Sequence, residues 1–220
     1  MVFADADIEK AAAAAPSAVF GNAGQDCCAR SRILVESSQV DNFLAAMEEA
    51  VKAIRVGDPL DASTEMGPLI SASHREKVGS FVTGEGAVAF RGSVPDRPGY
   101  WFPPTVLAPM SNTDRASREE IFGPVACVIP FDGEEEAIRI ANDTEYGLSG
   151  SIWTRDGGRA LRVARAIDTG VLSINSNSSV RVSTPFGGFK QSGIGRELGP
   201  DALDHYTEVK NVFYSTEVTD

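Results

Sequence analysis

Apolar residues recur at helical spacing between Val40 and Ile54. Val40, Phe43, Leu44, Met47, Val51 and Ile54 fall on one face, while Glu48, Glu49 and Lys52 fall on the other. Ser38 or Asp41 opens this helix and Gly57-Asp58-Pro59 stops it. A shorter helix is predicted upstream, capped by Asp5 or Asp7 and running through Ile8 and the alanines to Phe20, with Pro16 as a kink. Ser71 or Ser73 starts another through Val78 and Val82, ended by Gly84, with His74 in its first turn as a solvated residue. Strands are expected at about Arg32–Val35, at Thr105-Val106-Leu107 after a turn-rich Pro95–Pro104 stretch, and at Val125–Phe131. An acidic helix over Asp132–Ala141 follows. Leu148–Trp153, Asp156–Ile167 and Gly170–Asn175 then read strand, helix, strand. That alternation predicts an α/β fold, an open twisted mostly parallel sheet flanked by helices.

The 220 residues suffice for one compact domain with a sizeable core, and no repeat or long linker divides them. Twenty Lys and Arg against 31 Asp and Glu leave a net charge of −11, which argues against nucleic acid and anionic membrane surfaces as partners. Asp5, Asp7 and Glu9 stand where a secretory leader needs positive charge, and the Ala11–Ala15 run is too short to span a bilayer. Three cysteines, two adjacent, make no disulfide framework and suit a reducing cytoplasm, so the expected location is cytoplasmic. His74 and His205 pair with no cysteine cluster, so no metal is expected.

Chemistry enters at Phe20–Arg32, a loop of small residues that presents a thiol just before the apolar run Ile33-Leu34-Val35. Asn22, Gly24, Gln25 and Cys27 fit an N-x-G-Q-x-C pattern. Glu119-Glu120-Ile121-Phe122-Gly123-Pro124-Val125 is a second segment. Pro185 to Gly199 (P-F-G-G-F-K-Q-S-G-I-G-R-E-L-G) is a third, and Tyr206-Thr207-Glu208-Val209-Lys210 a fourth. In this order the four segments resemble the aldehyde dehydrogenase superfamily, and the resemblance covers essentially the whole chain. The glycines of the third segment lack the preceding strand and helix entry of a dinucleotide fingerprint.

The resemblance implies roles residue by residue. Cys27 is the nucleophile, with its own backbone N–H as an oxyanion donor, and Glu197 a proton relay near it. Glu120 accepts hydrogen bonds from the nicotinamide ribose of NAD(P), and Phe122 packs at the same end of the cofactor. Phe186 and Asn22 belong to the substrate pocket, although Asn22 equally suits an Asx-turn within its loop. Arg30 either lowers the pKa of the thiol or turns to solvent or an acid. Residues 1–204 are expected to form the cysteine-nucleophile catalytic domain and 205–220 an oligomerisation strand or tail that pairs copies of the chain.

Family members carry a dinucleotide-binding part ahead of the point matched by Met1. That part holds the cofactor phosphate contacts, the general-base glutamate and an oxyanion asparagine. The leading expectation for the chain as it stands is therefore an NAD-independent esterase. It hydrolyses short acyl esters through an acyl-Cys27 intermediate, needs no cofactor, and leaves Glu120 and Phe122 vestigial. The alternatives are the catalytic part of an NAD(P)-dependent enzyme oxidising an aldehyde to a carboxylic acid, and a non-catalytic assembly fragment.

Overall fold

The computed structural model describes residues 1–82 and 88–217. Chain order begins with α1 (Ile8–Phe20), β1 (Arg32–Glu36), α2 (Val40–Lys52), α3 (Ala72–Val82), β2 (Val88–Arg91) and β3 (Thr105–Leu107). It continues with α4 (Arg115–Arg118), β4 (Val125–Phe131), α5 (Gly133–Asn142), β5 (Tyr146–Gly147), β6 (Ser149–Ile152), α6 (Gly157–Ala166), β7 (Val171–Ile174) and β8 (Phe189–Lys190). The predicted helix end at Gly84 lies outside the described residues.

The main sheet has the order β1-β4-β3-β2. β1, β4 and β3 run parallel, and β2 closes the edge antiparallel. β6 and β7 form a second parallel pair. Met1–Phe3 lies between the two. Val2 N donates to Leu34 O (2.8 Å) on one side, and Phe3 N donates to Trp153 O (3.0 Å) on the other. Val2 is thus a parallel bridge partner of both Val35 and Trp153, which makes one nearly continuous sheet. Four apolar residues, Met1 to Ala4, before an acidic run give no alternation to read, so this strand-like segment is absent from the sequence-based expectation. The α/β, mostly parallel fold holds.

Burial follows the helical pattern. Phe43, Met47 and Val51 of α2 are fully buried, and α2 packs against α1, which runs on past Pro16 to Phe20. Asp7 caps α1 by accepting from Lys10 N. Asp5 does something else: it accepts from Thr154 Oγ1, from the backbone N–H of Arg155 and Asp156, and from Arg159 Nη1 at 2.8 Å. Burial opposes its ionisation, yet the Thr154 hydroxyl and the Arg159 guanidinium outweigh burial and hold its carboxyl below the usual range. The acid that looked like a cap is the clasp between the N-terminal segment and α6.

At the other end, Pro200–His205 is a 3-10 turn, and residues 206–217 form no strand. Val209, Val212, Phe213 and Tyr214 are almost fully exposed. Among the described residues, the expected C-terminal strand is therefore not built within one chain: 206–217 pair with no sheet edge that could supply their hydrogen bonds.

Candidate active site

Parallel pairing assembles the site. Arg32 is in register with Cys127, so β1 and β4 start at the same edge of the sheet. The segments leading into them, the Cys27 loop and Glu120–Pro124, are therefore neighbours despite their distance in sequence. β6 starts at the same edge with Ser149. A cavity of about 490 Å³ opens there, and its lining includes Cys27, Arg30, Glu120, Phe122, Tyr146 and Ser149.

Backbone contact locks the two segments together. Asn22, Ala23 and Gly24 all lie in the left-handed region, at φ 51°, 56° and 68°. A β-carbon on Gly24 would meet Gly123 O at 2.1 Å, so only glycine allows this approach. Phe122 is also left-handed, at φ 56°, which turns its ring outward. Left-handed geometry at Ala23 and Phe122 costs roughly 1–2 kcal/mol each. Such strain persists only where the surroundings enforce it.

The first turns of α3 hold the second segment in place. His74 Nε2 lies 2.7 Å from Phe122 O, and Lys77 Nζ donates to Glu120 O at 3.5 Å. Val78, on the same helical face, packs where a side chain on Gly123 would sit. His74 is thus not a solvated residue but a prop for the Phe122 turn. The only sign in the sequence was its spacing to Lys77 and Val78, which acquires meaning once the facing segment is known.

Cys27 is exposed and Cys28 half-buried. Partial burial, then the neighbouring Cys28 thiol and the Asp26 carboxylate, push the Cys27 pKa up, so at neutral pH it is a thiol. Arg30 does not reverse this. Its guanidinium bonds the Cys28 carbonyl, Ser149 Oγ (2.9 Å), Ser179 Oγ (3.0 Å) and Asn177 O (3.4 Å). Arg30 neither turns to solvent nor activates Cys27: its charge faces the Cys28 thiol and the Asp26 carboxylate, and its guanidinium staples the cysteine loop to the start of β6 and to the segment after β7. Cys127 is buried in β4, and burial pushes its pKa up to about 12, so it is chemically silent.

Of the sequence-derived site residues, the cavity collects Cys27, Glu120 and Phe122. The other three lie outside its lining. Asn22 sits in the same loop, where its side-chain amide donates to Gln25 O at 2.8 Å, the structural role open to it from the start. Phe186 and Glu197 form a two-residue antiparallel bridge, with Phe186 N donating to Glu197 O at 2.7 Å. Phe186 is half-buried and Glu197 exposed. Their loop is held by His205, whose Nε2 accepts from Arg196 N at 3.2 Å.

An anionic Glu120 beside a ring, Phe122, both exposed at one cavity, suits a diol-bearing flat ring such as the ribose and nicotinamide of a dinucleotide. The residues present fit one end of that cofactor.

Comparison with known proteins agrees with this arrangement. The model of the aldehyde dehydrogenase family matches residues 1–212. The betaine aldehyde dehydrogenase of Bacillus subtilis is 44% identical over 225 residues, covering 99% of this chain and 46% of that protein. The geranial dehydrogenase of Castellaniella defragrans is 41% identical, covering 97% and 45%. Among solved structures, a Staphylococcus aureus betaine aldehyde dehydrogenase in complex with NAD+ superposes with a TM-score of 0.87 at 44% identity, covering 93% of this chain and 42% of that one. A Bacillus cereus aldehyde dehydrogenase mutant gives a TM-score of 0.90 at 38% identity, covering 95% and 43%. The chain spans about half the length of the curated relatives it matches. A family model spanning nearly the whole chain, set beside a cysteine loop stacked on the Glu120–Pro124 turn, places this protein in the aldehyde dehydrogenase family.

Proposed function

We propose that this chain is the catalytic part of an NAD(P)-dependent aldehyde dehydrogenase, oxidising an aldehyde to a carboxylic acid. The observation that carries the proposal is the joint placement of the Cys27 thiol, Glu120 and Phe122 around one cavity. A dedicated esterase has no use for an exposed carboxylate and ring propped from α3 by His74 and Lys77. The relatives are dehydrogenases and lend the esterase reading no support.

Cys27 Sγ loses its proton and attacks the aldehyde carbon, forming a thiohemiacetal. The Cys27 backbone N–H is the oxyanion donor this chain supplies. A bound NAD(P) would supply the hydride acceptor needed for oxidation of the thiohemiacetal to a thioester, the hydroxyl proton leaving to a base. Glu120 would hold the cofactor by accepting hydrogen bonds from its ribose hydroxyls, and Phe122 would pack at the same end. Water then releases the acid and restores the Cys27 thiol. Because partial burial, then Cys28 and Asp26, raise the Cys27 pKa, thiolate formation is the step most dependent on a general base. Glu197 is the relay candidate for hydrolysis and Phe186 the wall of the acyl pocket. Both reach the cavity only if the Pro185–Gly199 loop folds toward it. Betaine aldehyde and geranial are the first substrates to try.

Aldehyde protection tests the proposal. Increasing aldehyde should slow iodoacetamide labelling of Cys27 at concentrations that leave free glutathione unprotected. Equal protection of Cys27 and glutathione would mean that the cavity does not recognise aldehydes.

The exposed tail supports a second proposal, that residues 205–220 pair as a strand with another copy. An extended tail with Val209, Val212, Phe213 and Tyr214 exposed offers apolar surface and unpaired backbone for such pairing. The 220-residue chain should sediment as a dimer or larger, and the 1–204 truncation as a monomer. Identical sedimentation of the two would remove the tail from the interface.

A further inference from the structure

The loop that carries the nucleophile also gathers a second set of donors. One carboxylate oxygen of Asp26 and the sulfurs of Cys27 and Cys28 all lie within 4.8 Å of one another. The two thiols are neighbours, and Cys28 bears on the ionisation of Cys27. Asp26 is oriented, since its Oδ1 accepts from Cys28 N at 2.6 Å. The Cys28 carbonyl is fixed by Arg30, so the backbone beneath the donors is anchored. The expectation of no metal considered only the two histidines and passed over this triplet.

From this juxtaposition we propose that Asp26, Cys27 and Cys28 form a site for a soft divalent cation of the Zn2+ class, whose occupancy caps the Cys27 sulfur. Two thiolates and one carboxylate are a donor set that favours Zn2+ and Cd2+ over Mg2+ or Ca2+. A tetrahedral ion with Zn–S bonds of about 2.3 Å holds its two sulfurs about 3.8 Å apart. The sulfurs therefore need to close by at most about 1 Å, within reach of χ1 rotation for side chains at a cavity mouth. Binding forms two metal–sulfur bonds and breaks two S–H bonds, with both protons passing to solvent. The carboxylate enters already ionised, and water takes the fourth position. The three ligands and the ion carry a net charge of −1, which the Arg30 guanidinium behind Cys28 partly offsets. The inference does not depend on which substrate Cys27 attacks. An ion held there withdraws the nucleophile and leaves the cavity intact, so the same thiol is switched off by a metal and restored by a chelator.

The full chain, reduced and freed of metal, tests this with Cd2+ as the probe. Thiolate-to-cadmium absorbance should rise to one ion per chain, Zn2+ should compete the signal away, and iodoacetamide labelling of Cys27 and Cys28 should stop until EDTA is added. Cys28→Ser should weaken Cd2+ binding at least about tenfold and Asp26→Asn by several-fold, with thermal midpoints checked to show that both variants fold. Cys127→Ala should leave binding unchanged. Cd2+ affinity unaltered by Cys28→Ser would overturn the proposal. So would a stoichiometry of one ion per two chains, or an adventitious ion only, bound without protecting Cys27.

Discussion

Cys27→Ala should abolish every covalent adduct formed with aldehydes or activated esters, an effect without a partial version because no other sulfur stands at the cavity in the same way. Cys28 is half-buried beside it, and Cys127 is sealed in β4 with its pKa pushed up to about 12. Intact-mass measurement after treatment with p-nitrophenyl acetate should show one acetyl group on the native chain and on Cys127→Ala, and none on Cys27→Ala. The pH dependence follows from the raised Cys27 pKa. The reactive thiolate is the minor species at neutral pH, so labelling should accelerate about tenfold per pH unit from pH 7 towards 9, without the early plateau of an activated cysteine. An acetyl group on Cys28 would refute the assignment of the nucleophile, and a plateau below pH 8 would refute the account of its environment.

Gly24→Ala should damage the site more than any other change outside the reacting atoms. A methyl group there would enter the Gly123 carbonyl at 2.1 Å, and Gly24 has φ 68°. Overpacking costs typically about 1–3 kcal/mol, and alanine in left-handed geometry adds roughly 1–2 kcal/mol. Together these give a loss of about 2–5 kcal/mol, or the two segments part. Urea unfolding should show a lower midpoint with unchanged slope, accompanied by a changed Cys27 labelling rate. Gly21 is the control, since a β-carbon there meets nothing within 4 Å. Equal midpoints for Gly24→Ala and Gly21→Ala would show that the stacking of Gly24 on Gly123 does not hold the site together.

How far these properties can be read from the residues varies with the physics behind each. The helices were legible because burial on one face writes a periodic pattern, as Phe43, Met47 and Val51 do in α2. β4 was legible as a run of almost wholly buried residues. Met1–Phe3, β2, β5 and β8 were not, since such short segments carry no period; β3, β6 and β7 are as short but were marked by the turn-rich stretch before β3 and by the strand, helix, strand alternation around α6. Their pairing is decided by what lies beside them. Within the site, the identities of Cys27, Glu120 and Phe122 came from motif order, while their convergence came from the parallel register of β1 and β4. The supporting contacts were hidden for a further reason. His74 bonds a backbone carbonyl, and Arg30 binds backbone and serine oxygens, neither of which any side-chain pattern marks. For Arg30 the residues left both an activating role and a turn to solvent or an acid open, because proximity in sequence does not set where a guanidinium points.

The central claim is that this chain supplies the thiol half of an aldehyde-oxidising enzyme. The most direct measurement joins it to the half it would serve. The part of the Bacillus subtilis betaine aldehyde dehydrogenase that this chain does not match is fused ahead of Met1, and the fusion is first shown to be folded and to bind NAD+. NADH formation is then followed with a panel of aldehydes. The account predicts aldehyde-dependent NADH formation that disappears with Cys27→Ala and needs a higher NAD+ concentration with Glu120→Gln. A folded, NAD+-binding fusion that forms no NADH with any aldehyde, while the 220-residue chain alone turns over esters continuously, would contradict it.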